Sequence, residues 1–214
     1  MGTQRPRLLE HLHWLGHDSF RIDRPAVVYL DPWKLAPGAP AADVILISHD
    51  HYDHCSPEDV ERLRKPGTVV IANASAAAKL AAPVTILRAG EETTAAGVKI
   101  RALPAYNIGK KFHPKESGHV GYLLTLGDES LYFAGDTDRI PEMKGLVCDV
   151  ALLPVSGVYT MTAEEAAQAA GDLRVRVVVP MHFGAGVAGE PQDAERFRRL
   201  SPVTVEILPV EGGV

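Results

Sequence analysis

Apolar residues in this chain fall in short runs bounded by Gly, Pro and Asp, most of them too short for helices. The first half predicts strands over 11–15, 19–22, 26–30, 44–47, 68–71, 84–87 and 98–102; the second half predicts them over 120–126, 130–134, 150–153, 176–179 and 203–208. Gly127-Asp128 separates two runs and 23–25 separates two others, and both spacers suit hairpins.

Helical patterns are fewer. Ser56-Pro57-Glu58-Asp59 combines an N-cap, a proline at the first helical position and early acids, predicting a helix to about residue 65. Thr162 followed by Glu165 is a capping box that opens a helix to about residue 170. Residues 74–81 and 191–200 are the other candidates. Strands in both halves with helices between them predict two packed sheets with helices outside, a layered α/β fold. No repeat, low-complexity tract or linker-like shift divides the chain, so 1–214 reads as one domain.

Composition narrows the class. Hydrophobic residues make up 46% and charged residues 23%, an ordinary globular balance. Net charge is −5, and acids and bases are mixed along the chain. No basic stripe of the kind that displaces counterions from phosphates is visible, so nucleic acid is not an expected partner. Lys110-Lys111 and Arg196 with Arg198-Arg199 read as solvated surface. Residues 1–20 hold no apolar stretch of signal-peptide length, and no later segment approaches the roughly 20 apolar residues that span a bilayer. The expectation is a cytoplasmic protein acting on a small molecule, with no membrane partner and with a homo-oligomer left open. Two cysteines, Cys55 and Cys148, make no disulfide framework.

The chemistry concentrates after the buried-looking strand 44–47. His49-Asp50-His51-Tyr52-Asp53-His54 puts four potential ligands into six residues, ahead of a capped helix. In an extended segment, positions two apart point the same way, so His49 and His51 can share one metal. Where the chain turns, Asp53 and His54 can face a second ion. Imidazole with carboxylate suits zinc, with manganese or iron as alternatives. A polar surface loop is the competing reading, but this composition would give the pattern by chance about once in a thousand sequences.

Further ligands should come from other strand ends. The run 131–134 leads into Gly135-Asp136-Thr137-Asp138, where Gly135 permits a close backbone approach and Asp136 can bridge two ions with its two oxygens. The run 176–179 leads into Pro180-Met181-His182-Phe183-Gly184, placing His182 beside a Gly-containing loop. Taken alone, Asp136 reads as a turn or cap and His182 as structural; beside the 49–54 motif, both become ligands.

HDHYDH, FAGDTD and PMHFG in that order resemble the metallo-β-lactamase superfamily over about residues 12–184. The likeness is greatest to its uncharacterised metal-dependent hydrolase branch, related to ascorbate-6-phosphate lactonase. Leu15-Gly16-His17, Asp31-Pro32, Pro104-Ala-Tyr-Asn107 and Gly157-Val-Tyr159-Thr-Met161 support that placement. The resemblance implies a four-layer αββα sandwich with two divalent cations at one edge between the sheets. By position, it gives His49 and His51 to the first metal, Asp53 and His54 to the second, Asp136 to both, and His182 to the second. It also makes Asp31 a carboxylate accepting the far imidazole N–H of a ligand.

The third ligand of the first metal departs from the family pattern. Many members use a Gly-His-Thr-like turn, whereas this chain reads Phe112-His113-Pro114-Lys115-Glu116-Ser117-Gly118-His119. The order of preference is His113, then His119, then Asn107, where phospholipase-D-like members place a histidine. His17 reads as a pocket or core histidine, and Tyr159 as an oxyanion donor or a packing residue. His11 and His13 read as surface, and Cys55 as the start of a helix.

Such a pair of cations lowers the pKa of a shared water towards neutrality and polarises a carbonyl or phosphoryl oxygen. The expected function is therefore a metal-dependent hydrolase using a bridging hydroxide to cleave a small ester, lactone or phosphoester, with Asp53 orienting the nucleophile and taking its proton. The alternatives are a phosphodiesterase of the same fold, nuclease or phospholipase-D-like, and a di-iron redox protein. The last belongs to a branch with Glu where His51 stands, and no flavin-binding segment follows residue 214.

Overall fold

The computed structural model describes residues 4–211. Two sheets face each other, with helices on both outer sides, so the predicted αββα layering is present. The first sheet runs in the order β1 (Leu12–Gly16), β2 (Ser19–Ile22), β3 (Val28–Leu30), β4 (Val44–Ile47), β5 (Val69–Ala72) and β6 (Thr85–Ile86). The second starts at β13 (Thr204–Val205) and passes through β12 (Val177–Met181), β11 (Val150–Pro154), β10 (Glu129–Phe133), β9 (Val120–Leu126) and β8 (Val98–Pro104) to β7 (Glu92–Ala95).

Side-chain alternation decides which face each strand residue serves. Val44 and Leu46 of β4 enter the core between the sheets, while Ile45 and Ile47 face outward under the helices. All four are fully buried, which is why β4 reads as an unbroken apolar run. α1 (Pro57–Leu63) covers that outer face with Val60 and Leu63, and α2 (Ala74–Ala77) adds Ala76. Ser56 accepts from the Asp59 amide, so the predicted N-cap forms. α3 (Ala163–Asp172), opened by the Thr162–Glu165 capping box, packs on α4 (Pro191–Leu200), which lies against β12 and β13.

Three expectations change. Residues 92–95 form an edge strand, although Glu-Thr-Thr-Ala carries almost no apolar signal; its pairing with β8 decides the matter, from Glu92↔Arg101 to Ala95↔Val98. The predicted helix 74–81 is only the single turn Ala74–Ala77. The run 203–208 pairs only through Thr204 and Val205. Both expected hairpins are present, with Ile22 opposite Val28 and Leu126 opposite Glu129.

Strand direction gathers the chemistry. β3, β4 and β5 run parallel in one sheet, as do β10, β11 and β12 in the other. Asp31 and His182 follow directly on the carboxyl ends of β3 and β12, and His49 and Asp136 lie within three residues of those of β4 and β10. No helix among the described residues is long and apolar enough to cross a membrane.

Candidate metal centre

His49 and His51 lie after β4 and point to one place: His49 Nε2 is 3.0 Å from His51 Nδ1. His113 Nε2 completes a triangle, 3.2 Å from His51 Nδ1, and lies 3.2 Å from Asp136 Oδ2. Ligand atoms about 2.0–2.1 Å from a tetrahedral ion would stand roughly 3.3 Å apart. Three imidazole nitrogens and one carboxylate oxygen are thus arrayed as such an ion requires.

A second set meets the other side of Asp136. Its Oδ1 is 3.5 Å from His54 Nε2, its Oδ2 is 3.2 Å from His182 Nε2, and Asp53 Oδ2 is 3.8 Å from His54 Nε2. Asp136 therefore stands between the two sets. His54 Nε2 and Asp136 Oδ1 are buried with no hydrogen-bond partner among the described residues. Buried polar atoms are ordinarily satisfied, and a divalent cation would supply the missing partner. The donor set fits the group.

The ring tautomers follow from the outer partners. Ser48 Oγ donates to Asp31 Oδ2, so it must accept from His49 Nδ1, 2.9 Å away. His54 Nδ1 donates to the other side of the same carboxylate oxygen at 2.8 Å. Asp31 thereby keeps the protons of two imidazoles on Nδ1 and turns both Nε2 lone pairs to the centre. His113 Nδ1 donates to Asn107 Oδ1 at 3.0 Å and approaches the Tyr159 carbonyl at 3.3 Å. Asn107 is held in turn, its amide nitrogen donating to Asp138 Oδ1 and to the Tyr159 carbonyl.

These contacts order the three candidates for the third position. His113 joins His49, His51 and Asp136. Asn107 sits behind His113 and orients it. His119 stacks on His49 with ring centroids 4.7 Å apart, and its Nε2 is 3.9 Å from Asp50 Oδ1, outside the converging atoms. His113→Ala is expected to weaken cation binding at least about 100-fold, beyond the 10–100-fold typical of outer partners, while His119→Ala stays within that range. Chelator competition measures both; equal losses would remove the distinction.

Other expectations need revision. Tyr159 contributes its carbonyl; its ring packs on Phe112, with centroids 4.7 Å apart, so an oxyanion-donor role has no contact behind it. Gly135, at φ +64°, lets the backbone approach Ser48 and the Val120 carbonyl, since a Cβ there would lie 3.1 Å from that oxygen. Lys110 is not solvated surface: its ammonium binds Asp138 and the Thr160 carbonyl, tying the loop of His113 to the loop of Tyr159. Cys55 is buried against α2, and burial pushes its thiol up to about 12.

Two residues carry more than their pattern suggested. His17 is buried, with Nε2 3.1 Å from Asp53 Oδ2, beside His182 at 4.2 Å between ring centroids. Asp18 is fully buried, and neither carboxylate oxygen has a hydrogen-bond partner among the described residues. His17 reads from the sequence as a pocket or core histidine, but Asp18, beside it between two short strands, looks like an ordinary exposed turn residue, so the sequence hides it. Backbone strain marks the same region. Of the five non-glycine residues at positive φ among the described residues, His17 (51°), Asp31 (40°) and His182 (62°) all belong to the centre.

The electrostatics favour positive charge here. Burial opposes the His182 imidazolium, but Asp136 and Asp18 outweigh it and push its pKa up to about 9. Burial likewise opposes protonation of His54, and Asp136 and Asp31 reverse it. Asp136 is held well below the carboxylate range, with the neighbouring imidazoles His182 and His54 overcoming the cost of its burial. Protons thus occupy Nε2 positions where a metal ion would bind.

His17 and His119 shift the other way, each pushed down to about 4, chiefly by burial. The unfolded chain would protonate them near pH 6.5, so their contribution to stability is present above that pH and lost as pH falls towards 4. The raised His182 and His54 act with the opposite sign, so the test isolates one group: His119→Gln is expected to raise the urea midpoint of the metal-free protein at pH 5 relative to that at pH 7, and an unchanged relative midpoint would contradict this.

With the geometry in place, comparison identifies the family. A family model described as a beta-lactamase superfamily domain matches residues 11–182. The chain belongs to the metallo-β-lactamase superfamily. Among relatives of this superfamily member, a UPF0173 metal-dependent hydrolase of Thermococcus kodakarensis is 32% identical over 217 residues, covering 94% of this chain and 96% of the relative. Another from Caldivirga maquilingensis is 31% identical over 204 residues, covering 89% of each. The crystal structure of a protein described as a metal-dependent hydrolase from Parabacteroides distasonis superposes with a TM-score of 0.82 at 33% identity, covering 92% of this chain and 91% of that one.

Proposed function

We propose that this superfamily member is a binuclear metal-dependent hydrolase acting on a small ester, lactone or phosphoester. The observation that carries the reading is the convergence on Asp136 of imidazoles from three separate segments: His49 and His54 after β4, His113 before β9 and His182 after β12. Relatives described as metal-dependent hydrolases support the reaction class. In this reading His49, His51, His113 and Asp136 would hold the first cation, and Asp53, His54, His182 and Asp136 would hold the second. The imidazole-rich first set suits zinc. When bound, the cations would supply Lewis acidity and a water of lowered pKa.

The chain's own residues do the positioning. Asp31 and Asn107 fix ring orientation through the Nδ1 protons. His17 Nε2 holds Asp53 Oδ2 in place, leaving the other oxygen of Asp53 to accept a proton from the attacking water. Tyr52, Ile108, Phe112 and Val158, each next to a residue of the centre or of its supports in sequence, are exposed apolar side chains. Lys110 and Lys115 are paired with Asp138 and Glu142, which does not suit a polyphosphate backbone.

The test is a panel of p-nitrophenyl esters, lactones and phosphodiesters with metal-reconstituted protein. Turnover of an ester, lactone or small phosphoester should vanish on chelation and return with added metal. Turnover undiminished by chelation would contradict the reading.

A further inference from the structure

The β1–β2 turn is built against the usual pattern for a hairpin tip. Turns run over the surface because their backbone needs water. This one, His17 and Asp18 between Gly16 and Ser19, is 1% exposed at His17 and 0% at Asp18. Gly16 at φ +103° and His17 at φ +51° bend the chain into the interior. Anchors hold it there: the His17 carbonyl accepts from Trp14 Nε1 at 2.9 Å and from the His182 amide at 3.2 Å.

That bend delivers a carboxylate with no hydrogen-bond partner among the described residues. The nearest imidazole nitrogen recorded against Asp18 is His54 Nδ1, 3.7 Å from its Oδ2, and that nitrogen already donates to Asp31 at 2.8 Å. A carboxyl group removed from water must gain donors, a cation or a proton, and burial pushes Asp18 towards the protonated form. Asp18, His54, Asp136 and His182 each offer one ligand atom, all lying within 4.8 Å of one another. A divalent cation among these atoms would supply the partner that both Asp18 oxygens lack.

We propose that Asp18 is an additional carboxylate donor to the second cation. The inference rests on the two-cation reading. Asp18 would bring the carboxylates around that position to three, with Asp53 and Asp136, beside His54 and His182. Oxygen-rich sets favour harder ions of higher coordination number, so the second position would take manganese(II) or iron(II) in preference to a four-coordinate zinc. The first position, with three imidazoles and one shared carboxylate, keeps the zinc-like set. The two positions then differ in metal preference because of one turn residue.

The experiment titrates metal-free wild type, Asp18→Asn and Asp18→Ser with manganese(II) and with cobalt(II). Binding is read by chelator competition, the cobalt visible bands report coordination number, and thermal unfolding is followed with and without metal. Asp18→Asn keeps the shape and removes the charge, so it serves if Asp18→Ser folds poorly. Wild type should bind two equivalents. The variants should keep the first and weaken the second at least about tenfold, with more intense cobalt bands as a ligand is lost. The gain in melting temperature on adding metal should shrink in the variants; a purely structural role would leave that gain unchanged. Two equivalents bound equally well by the variants, with an unchanged cobalt spectrum, would overturn the role of Asp18. Fewer than two equivalents in wild type would instead sink the two-cation reading.

Discussion

Asp136→Ala is expected to remove bound metal from both positions and to lower kcat/KM at least about 1,000-fold, or about 4 kcal/mol of transition-state stabilisation. The physical reason lies in how many imidazoles face one carboxylate. Asp136 Oδ2 is 3.2 Å from both His113 Nε2 and His182 Nε2 and 4.0 Å from His49 Nε2, while Oδ1 is 3.5 Å from His54 Nε2. Without it, two sets of nitrogens remain but share no anion. In the metal-free protein the same change withdraws the largest support for the His182 imidazolium, so the His182 pKa of about 9 should fall. Metal analysis, steady-state kinetics and NMR titration check the three effects. Asp136→Asn is the control for folding, and a variant that retains two metals and full turnover would refute the assignment.

Gly121→Ala should be the most damaging small substitution outside the centre. Gly121 lies in β9 opposite Leu103, and a Cβ there would stand 2.5 Å from the Phe133 carbonyl oxygen and 2.6 Å from that of Ala134. Both obstacles are backbone, at the end of β10 just before the Asp136 loop, so no side chain can swing aside. Overpacking ordinarily costs 1–3 kcal/mol, and a clash with two carbonyls belongs at or above the top of that range, about 3 kcal/mol. For a chain of this size that is roughly 6–12 °C in melting temperature. Thermal unfolding measures it. A loss below about 1 kcal/mol would mean that β9 can move away from β10 without consequence. Metal affinity should fall as well, because the displaced backbone carries Asp136.

The readable parts of the sequence share a physical cause. β4, β12 and the Leu131–Phe133 end of β10 are buried on both faces, so each appears as an apolar run, and the ligand beyond its end stands out against it. Helices α1 and α3 announce themselves by capping chemistry, which is local. What stayed hidden depends on contacts distant in sequence. β7 is a strand only because β8 pairs with it. Choosing among His113, His119 and Asn107 required the position of Asp136, 17–29 residues further along the chain. Asp18 was the least legible: beside a glycine and a histidine between short strands it has the signature of a surface turn. Only the inward bend at His17 takes its carboxylate out of water. Asp138 is similar, a second acid in FAGDTD that looks like a turn residue. In the fold it ties down Asn107, the Ile108 amide and Lys110.

The central claim is that Asp136 stands between two cations. Anomalous scattering, from crystals grown with zinc or manganese and recorded at the metal's absorption edge, tests it without reference to any substrate. Two peaks are expected, about 3.5–4 Å apart, one among His49, His51 and His113 and the other among Asp53, His54 and His182, with Asp136 touching both. A single peak away from Asp136, or none in metal-saturated crystals, would contradict the account.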